Sequence, residues 1–277
     1  MKSRKTTIIL LISFFIGLSV LLYPSLSSYW NSKTQSEAIV DYESMLSQFK
    51  PEDYSAIFDA ANAYNQKLAN LPDPLANHDR LTEYHDTLDI SGTGMMGYIT
   101  IPKIGQELPV YHGTSDNVLS VAVGHLEGSS LPVGGINTHC VVSAHRGLPT
   151  AVLFTNLDRM EIGDTFHFTI LDRTVTYEVD QIRIVEPDDT SLIQIADGKD
   201  YCTLLTCTPY GINTQRLLVR GHQVDASQIR NIYIGNEAYR VEPLVVMPMV
   251  ALPIIFVLLL YILFAPVKKQ SIKEEIL

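Results

Sequence analysis

Between residues 96 and 224 the sequence breaks into short runs rich in β-branched and aromatic residues, each bounded by turn-forming residues. Runs of this length and spacing are typical of an all-β sandwich or barrel. We predict strands at residues 98–101, 108–111, 138–143, 165–170, 175–185, 201–206 and 216–223. About 130 residues suffice for one hydrophobic core, so one mainly β domain is predicted.

A helical pattern precedes the β region. Apolar residues recur at intervals of three and four between residues 36 and 71, as on the buried face of a helix. Pro51 fits the first position of the second helix, where its missing amide hydrogen costs nothing. We predict two short helices within a helical region at residues 28–70.

Apolar runs lie near both ends of the chain. Residues 8–23 follow Lys2, Arg4 and Lys5, and residues 244–265 precede Lys268 and Lys269. The first run predicts a signal or transmembrane segment within residues 1–27, and the second predicts a C-terminal transmembrane helix at 244–265. Buried core helices are the alternative interpretation.

The basic residues lie on the terminal side of both runs, so the positive-inside rule predicts two spans with both termini in the cytoplasm. Residues 266–277 would form a cytoplasmic tail, and residues 229–243 a linker to the membrane. The domain between the runs would then lie outside the cytoplasm, with the cell membrane as its location.

The formal net charge is −10 although both terminal tails are net positive, so the central region is strongly acidic. Binding to phosphates requires a basic surface, which such a domain lacks. The composition therefore argues against recognition of nucleic acids and of anionic lipids by this domain.

Three residue types suited to acyl transfer fall at predicted strand ends. Cys207 follows the strand at 201–206, and Arg216 opens the next strand after a loop that contains Pro209. His145 follows the strand at 138–143. Thiol, imidazole and guanidinium are the groups of a cysteine acyl-transfer site, so these residues are predicted to meet.

The other two cysteines are predicted to face away from this site. Residues an odd number apart on a strand point to opposite faces. Cys202 lies five residues before Cys207, and Cys140 lies five before His145. Both are expected in packing, which leaves Cys207 as the sulfur that meets the imidazole.

The run Thr203-Leu204-Leu205-Thr206-Cys207 matches the Thr-Leu-x-Thr-Cys signature of the sortase family. The longer run from Thr206 to Gly221 resembles class C, the pilus-specific sortases of Gram-positive bacteria, in which a histidine is expected at Gln215. The resemblance implies an eight-stranded sortase-type β-barrel at residues 81–228, with two N-terminal helices and with connecting helical turns at 117–123 and 153–159. It implies Cys207 as nucleophile, His145 as general acid and base, and Arg216 as the residue that holds the oxyanion or orients the substrate, with no cofactor and no metal.

The same resemblance implies a substrate and an acceptor. A membrane-anchored class C sortase cleaves pilin sorting signals of the Leu-Pro-x-Thr-Gly type between Thr and Gly through a thioacyl-enzyme. It then joins the pilin to a lysine of another pilin, which polymerises pili. Two alternatives remain: a sortase that attaches surface proteins to cell-wall peptidoglycan, and a non-catalytic adhesion or scaffold domain.

Residues 71–80 form a predicted lid. The prolines in Leu71–Asn77 interrupt the helical pattern, so a loop is expected there. Class C sortases often carry an Asp-Pro-aromatic lid motif, which the resemblance maps onto Asp73 and Pro74, with Leu75 in the aromatic position. Asp73 is expected to pair with Arg216 while Leu75 covers Cys207. An ordinary proline-rich linker is the alternative.

Other residues compete for these roles. Arg220 shares a strand face with Arg216, and His222 is an alternative base on that face. His125 and His139 resemble metal ligands in isolation, but no cysteine or histidine spacing in the chain has the paired form of a structural zinc site.

Overall fold

A computed structural model describes residues 4–225, 251 and 253–257 of the chain. The chain divides into two compact units, Met1–Ser25 with Glu237–Leu277 and Leu26–Asn236. The second unit contains the whole β region. The predicted span at 244–265 lies outside the described residues, apart from residues 251 and 253–257.

The α-helices are α1 (Arg4–Leu46), α2 (Pro51–Ala69), α3 (Pro74–Asn77) and α4 (Asp116–Leu119). Pro51 begins α2, as predicted. The first predicted helix is not a separate element but the C-terminal part of the long helix α1. The helix continues from the apolar segment to Leu46 because Pro24 is the only proline inside it. Among the described residues one helical stretch, Leu11–Leu46, is long and apolar enough to cross a membrane, with a mean hydropathy of 1.7.

Eight strands form a closed barrel in the order β1-β2-β3-β4-β7-β8-β6-β5. They are β1 (Met95–Ile101), β2 (Gln106–His112), β3 (Val123–His125), β4 (Thr138–Ser143), β5 (Thr165–Ile170), β6 (Arg173–Val185), β7 (Asp200–Thr208) and β8 (Gln215–Val224). All seven predicted strands are present, and the eight-stranded barrel expected from the family resemblance is confirmed.

The eighth strand, β3, was missed because three residues are too few for a strand pattern. The helical turn predicted at 117–123 is wrong at its end, since α4 stops at Leu119 and Val123 opens β3. The turn predicted at 153–159 is observed only as a 3-10 turn at Leu157–Arg159. Further 3-10 turns lie at His78–Arg80, Tyr84–Asp86, Pro102–Ile104 and Ser191–Ile193.

The barrel interior and one face of α2 form a single apolar core. Phe58, Ala61, Tyr64 and Leu68 of α2 are buried at helical spacing in the same cluster as Phe166 of β5 and its neighbours. This amphipathic face explains why the helical region packs on the barrel instead of extending away from it.

The C-terminal part of α1 is joined to the barrel by one buried hydroxyl. Tyr42 donates a hydrogen bond to the carbonyl oxygen of Met96 at 3.0 Å and accepts one from the backbone amide of Leu171 at 3.0 Å. Tyr42 is only 1% exposed, so both hydrogen bonds are shielded from water.

We expect Tyr42→Phe to destabilise the protein by about 1–3 kcal/mol, because two buried backbone groups lose their partner. Thermal unfolding of the full chain should show a midpoint lower by several degrees. Tyr98→Phe is the matched control, since its hydroxyl donates to Glu43 at the surface. Equal midpoints for the two variants would contradict the assigned role of Tyr42.

Candidate active site

Cys207 and Arg216 are directly opposite each other on the antiparallel strands β7 and β8. The register runs from the Tyr201–His222 pair to the Thr208–Gln215 pair, and the intervening residues 209–214 form the connecting loop. Opposed residues of a ladder project to the same face of the sheet. The sequence prediction that the thiol and the guanidinium are neighbours is therefore confirmed at the level of strand register.

His145 follows the end of β4, which runs parallel to β7. Ser143 is level with Leu205, and the Ala144 amide donates to the Leu205 carbonyl oxygen at 3.2 Å. The Thr206 hydroxyl donates to the Ala144 carbonyl oxygen at 2.8 Å. Two further steps in this register are Cys207 and His145, so parallel pairing brings both residues to the same end of the sheet.

The competition between the two arginines of β8 is resolved by their partners. Arg220 donates two hydrogen bonds to Asp180, at 2.9 and 3.0 Å, and its guanidinium carbon lies 4.1 Å from the centroid of the Tyr201 ring. Arg216 donates to the backbone carbonyl oxygens of Asn213 and Gln215 and has no carboxylate partner among the described residues. Arg216 is thus the arginine of β8 whose guanidinium is not paired with a carboxylate of the described residues.

The alternative base His222 is poorly placed. It is level with Tyr201, at the end of β7 far from Cys207. His145 therefore remains the candidate base.

A second apolar cluster lies on the face of the sheet that carries Cys207. We call it the apolar trough. It is formed by buried Val141, Ile193 and Leu218, with the half-buried residues Leu126, Val185, Leu192 and Leu205. Leu205 and Cys207 are two residues apart on β7, so their side chains lie on the same face of the sheet. The trough and the thiol therefore share a surface. Such a surface suits an extended peptide with an apolar side chain near its reactive bond.

The predicted lid lies on this trough. Leu75 packs against the trough cluster. The lid backbone also approaches Gly128 so closely that a Cβ there would lie 2.8 Å from the Pro74 carbonyl oxygen and 2.9 Å from the Leu75 Cα. The segment 71–77 is only partly a loop, because Pro74 begins the short helix α3, where its missing amide hydrogen is not needed.

The predicted ion pair between Asp73 and Arg216 is wrong for this structure. Asp73 is exposed and precedes α3 in a left-handed conformation, with φ of 46°. Its backbone carbonyl oxygen accepts from the amides of Ala76 and Asn77, and no ion pair involves its carboxylate in the described part of the chain. The lid therefore contacts the trough through Leu75, and its His78 imidazole lies 3.4 Å from the Glu127 carboxylate.

The other two cysteines are inside the barrel, as predicted. Cys140 and Cys202 are opposite each other on β4 and β7, and both belong to the main core cluster. Burial raises the pKa of the Cys202 thiol well above its ordinary value. Cys207 is the only partly exposed cysteine of the three.

The two histidines considered as metal ligands are buried and hydrogen-bonded within the protein. The Nδ1 atom of His125 lies 2.9 Å from the Tyr84 hydroxyl. The Nε2 atom of His139 lies 2.8 Å from the Thr203 hydroxyl. Burial lowers the pKa of His139 to about 4, so this ring is neutral at physiological pH.

Sequence reasoning missed two features of the region. Arg146, next to His145, is largely buried and bonded to Asp158 and Thr208; the only signal for it in the sequence is the His-Arg-Gly string. A cavity of about 1120 Å³ lies between α2, the start of the lid and the start of β4. None of Cys207, His145 and Arg216 lines that cavity.

Comparison with known proteins agrees with this geometry. The family model for the sortase domain matches residues 99–224. The solved structure of sortase C1 from Streptococcus agalactiae is 50% identical, with a TM-score of 0.64, and the match covers 68% of this chain and 98% of that one. Streptococcus pneumoniae sortase C, studied for its catalysis and pilin substrate specificity, is 46% identical with a TM-score of 0.62, covering 68% and 97%.

A more distant relative is sortase D of Bacillus subtilis, 34% identical over 131 residues. That match covers 46% of this chain and 63% of the relative, so this chain spans less than two thirds of the relative's length. The chain belongs to the sortase family, whose members are cysteine transpeptidases. The solved structures that it resembles are class C sortases.

We expect an electrophilic thiol reagent to modify Cys207 much faster than the other two cysteines. Cys140 is 2% exposed and Cys202 is 0% exposed, so reagent reaches them only when the barrel opens. Limited alkylation of the native chain with iodoacetamide, followed by peptide mapping, measures this selectivity. Equal labelling of the three thiols would be the outcome expected of a binding domain without a reactive cysteine.

Proposed function

We propose that this protein is a membrane-anchored class C sortase that cleaves pilin sorting signals and joins the pilins to one another. The observation that carries the proposal is the pairing of Cys207 with Arg216 in register, with His145 at the end of the neighbouring parallel strand. A merely adhesive barrel has no need for a thiol, an imidazole and an unpaired guanidinium at one end of its sheet.

In the first half of the proposed reaction the Cys207 thiolate attacks the carbonyl carbon of the threonine in the sorting signal. Negative charge develops on the carbonyl oxygen, and Arg216 holds it with its guanidinium. The carbon–nitrogen bond then breaks, and His145 gives a proton to the departing glycine amine. A thioester between the pilin threonine and Cys207 remains.

In the second half a lysine amine of another pilin attacks the thioester. His145 accepts the proton of the attacking amine, the carbon–sulfur bond breaks, and Cys207 is released as thiolate. The product is an isopeptide bond between two pilins. Water would give hydrolysis instead, so the outcome depends on which nucleophile reaches the thioester first.

The pilin substrate rests on resemblance and on the membrane segment. Similarity to Streptococcus pneumoniae sortase C supports a pilin. The apolar part of α1 supports anchoring at the membrane, with the barrel on the outer side. A substrate that is itself tethered to the membrane would meet such an enzyme in two dimensions. The second span predicted at 244–265 belongs to the same proposal.

The decisive test is the acyl-enzyme. The full chain in detergent is incubated with a Leu-Pro-x-Thr-Gly peptide, and its intact mass is measured beside Cys207→Ala and Cys202→Ala. We expect an adduct equal to the peptide up to threonine in the wild type and not in Cys207→Ala. Cys202→Ala is the control for the loss of a thiol away from the site, and its adduct should persist.

The acceptor is tested in the same system by adding either a lysine-containing pilin or a peptidoglycan stem-peptide amine. A product mass that includes the pilin supports pilus assembly, whereas a product with the wall peptide supports cell-wall attachment. Absence of an adduct in every variant would contradict the proposed activity.

We further propose that residues 71–80 act as a lid that competes with the substrate. Val141 of the trough is level with Thr203, four residues before Cys207, which corresponds to roughly 13 Å along a strand. In an extended Leu-Pro-x-Thr-Gly signal the leucine precedes the threonine by three residues, roughly 10 Å. Leu75, which packs against this cluster, would therefore compete with the leucine of the signal for the trough.

We expect Leu75→Ala to raise turnover of a short sorting-signal peptide by roughly fivefold, since truncating this half-buried side chain weakens the lid by about 1 kcal/mol. Asp73→Asn is the matched control. It keeps a residue that tolerates left-handed backbone and removes a charge that makes no ion pair, so turnover should stay near that of the wild type. Activation by Asp73→Asn alone would mean that the pair with Arg216 forms in solution after all.

Gly128→Ala should also raise turnover, because the added Cβ collides with the lid backbone. This glycine has φ of +87°, so alanine adds backbone strain as well. Gly105→Ala controls for that strain, since Gly105 also has positive φ but no atom lies within 4 Å of its Cβ position. Steady-state peptide cleavage measures both variants, and equal rates would argue against an inhibitory lid.

A further inference from the structure

The ring of the candidate base His145 is not oriented by any partner within the described part of the chain. Its backbone carbonyl oxygen accepts a hydrogen bond from the Phe154 amide at 3.2 Å. Its imidazole makes no hydrogen bond with any residue that the structure describes. In acyl-transfer sites the base is normally oriented by a third group. Here the direction of the ring must therefore be set by the backbone of the loop that carries it.

The next residue, Arg146, connects that loop to the strand of the nucleophile. Its side chain is only 8% exposed, and its Nη2 atom donates to the Asp158 carboxylate at 2.5 Å. Its Nη1 atom donates to the Thr208 hydroxyl at 3.2 Å. Thr208 directly follows Cys207. One planar guanidinium thus joins the His145 loop, the turn at 157–159 and the end of β7.

The loop between β7 and β8 makes a second contact with the same segment. Gly147 has φ of +77°, and a Cβ there would lie 3.2 Å from the Tyr210 ring. The guanidinium carbon of Arg146 lies 5.9 Å from the centroid of that ring. The segment His145–Gly147 is therefore packed against residues on both sides of the connection that follows Cys207.

The burial of Arg146 argues against direct contact with the substrate. Its Nε atom is buried and has no hydrogen-bond partner among the described residues. A buried donor without a partner costs stability, and the hydrogen bonds that the other two nitrogens make to Asp158 and Thr208 offset that cost. The half-exposed Arg216, by contrast, is accessible from the trough side.

We propose that Arg146 is a positioning residue that fixes the His145 loop to the end of β7 and so sets the geometry between imidazole and thiol. The inference rests on the proposed function, because it assigns a role to the loop of the candidate base. Proton transfer is sensitive to displacements of about 1 Å, which can cost roughly 100-fold in rate. Arg146 itself does not touch the reacting atoms.

The test compares Arg146→Lys, Arg146→Met and Thr208→Val with Arg159→Met. Lysine keeps the charge but carries its donors on one nitrogen, so it cannot reproduce the planar fork that spans Thr208 and Asp158. Valine at 208 removes one hydrogen bond without changing charge. Arg159 lies exposed in the same turn as Asp158 and is the matched control for the loss of a cation. For each variant of the full chain, kcat and KM for a sorting-signal peptide with an amine acceptor are measured, and thermal unfolding reports the folded fraction.

Both Arg146 variants should lose about 10- to 100-fold in kcat with KM within about twofold. Thr208→Val should lose roughly 3- to 10-fold, and Arg159→Met should match the wild type. Wild-type rates in Arg146→Lys would overturn the inference, because charge alone would then suffice. A loss confined to KM, a loss explained by the unfolded fraction, or wild-type rates in Thr208→Val would overturn it as well.

A second measurement needs no substrate. The pH dependence of Cys207 alkylation by iodoacetamide is recorded for the wild type, Arg146→Lys and His145→Ala. We expect the Arg146→Lys profile to move toward that of His145→Ala, because the imidazole no longer meets the thiol. An unmoved profile contradicts the inference. If the wild type turns over no peptide, the proposed function fails, and this profile still decides the role of Arg146.

Discussion

The candidate site depends on the parallel pairing of β4 with β7. Six consecutive residue pairs, from Thr138–Asp200 to Ser143–Leu205, hold the two strands in one register. At the amino end of this ladder the Asp200 carboxylate accepts hydrogen bonds from the Gly135 amide and from the hydroxyls of Thr138 and Tyr177. Because the strands are parallel, their carboxyl ends coincide, and His145 and Cys207 are delivered to the same edge without any direct bond between them.

The same register divides the side chains between two environments. Cys140, Val142, Cys202 and Leu204 point into the barrel core, whereas Val141, Leu205 and Cys207 belong to the face of the trough. A slip of one residue in β7 would bury the candidate nucleophile and expose core side chains. The packing of the core therefore also specifies the position of the Cys207 thiol.

The parts of the candidate site around strands β4 and β7 are held by contacts of very different strength. Arg220 is neutralised by Asp180, while Arg216 keeps only backbone acceptors. The lid is held by Leu75, by close packing at Gly128 and by the contact of His78 with Glu127 at 3.4 Å, and it makes no ion pair with Arg216. Segments held by few contacts open more readily than a packed core, so residues 71–80 are expected to open more readily than the barrel.

The amino-acid sequence by itself determined the local features. Strand runs, the helical period before Ala69, the helix start at Pro51, and a thiol and a guanidinium on either side of a short loop follow from residue type and spacing. Family resemblance added the barrel and the roles of Cys207, His145 and Arg216. Sequence analysis did not predict three features: the three-residue strand β3, the continuity of α1 and the helical turn α3. Their local sequence patterns are too weak to indicate them.

Tertiary structure decided which charges are paired and which remain available. Asp73 and Arg216 were matched by motif, but their separation depends on how the lid packs against Gly128 and the trough. In the sequence Arg146 is only the residue that follows His145. The fold brings Asp158 and Thr208 within hydrogen-bonding distance of its guanidinium. Ion pairs and buried contacts form between residues that are far apart in the chain. They depend on the packing of the whole barrel, which residue spacing alone does not predict.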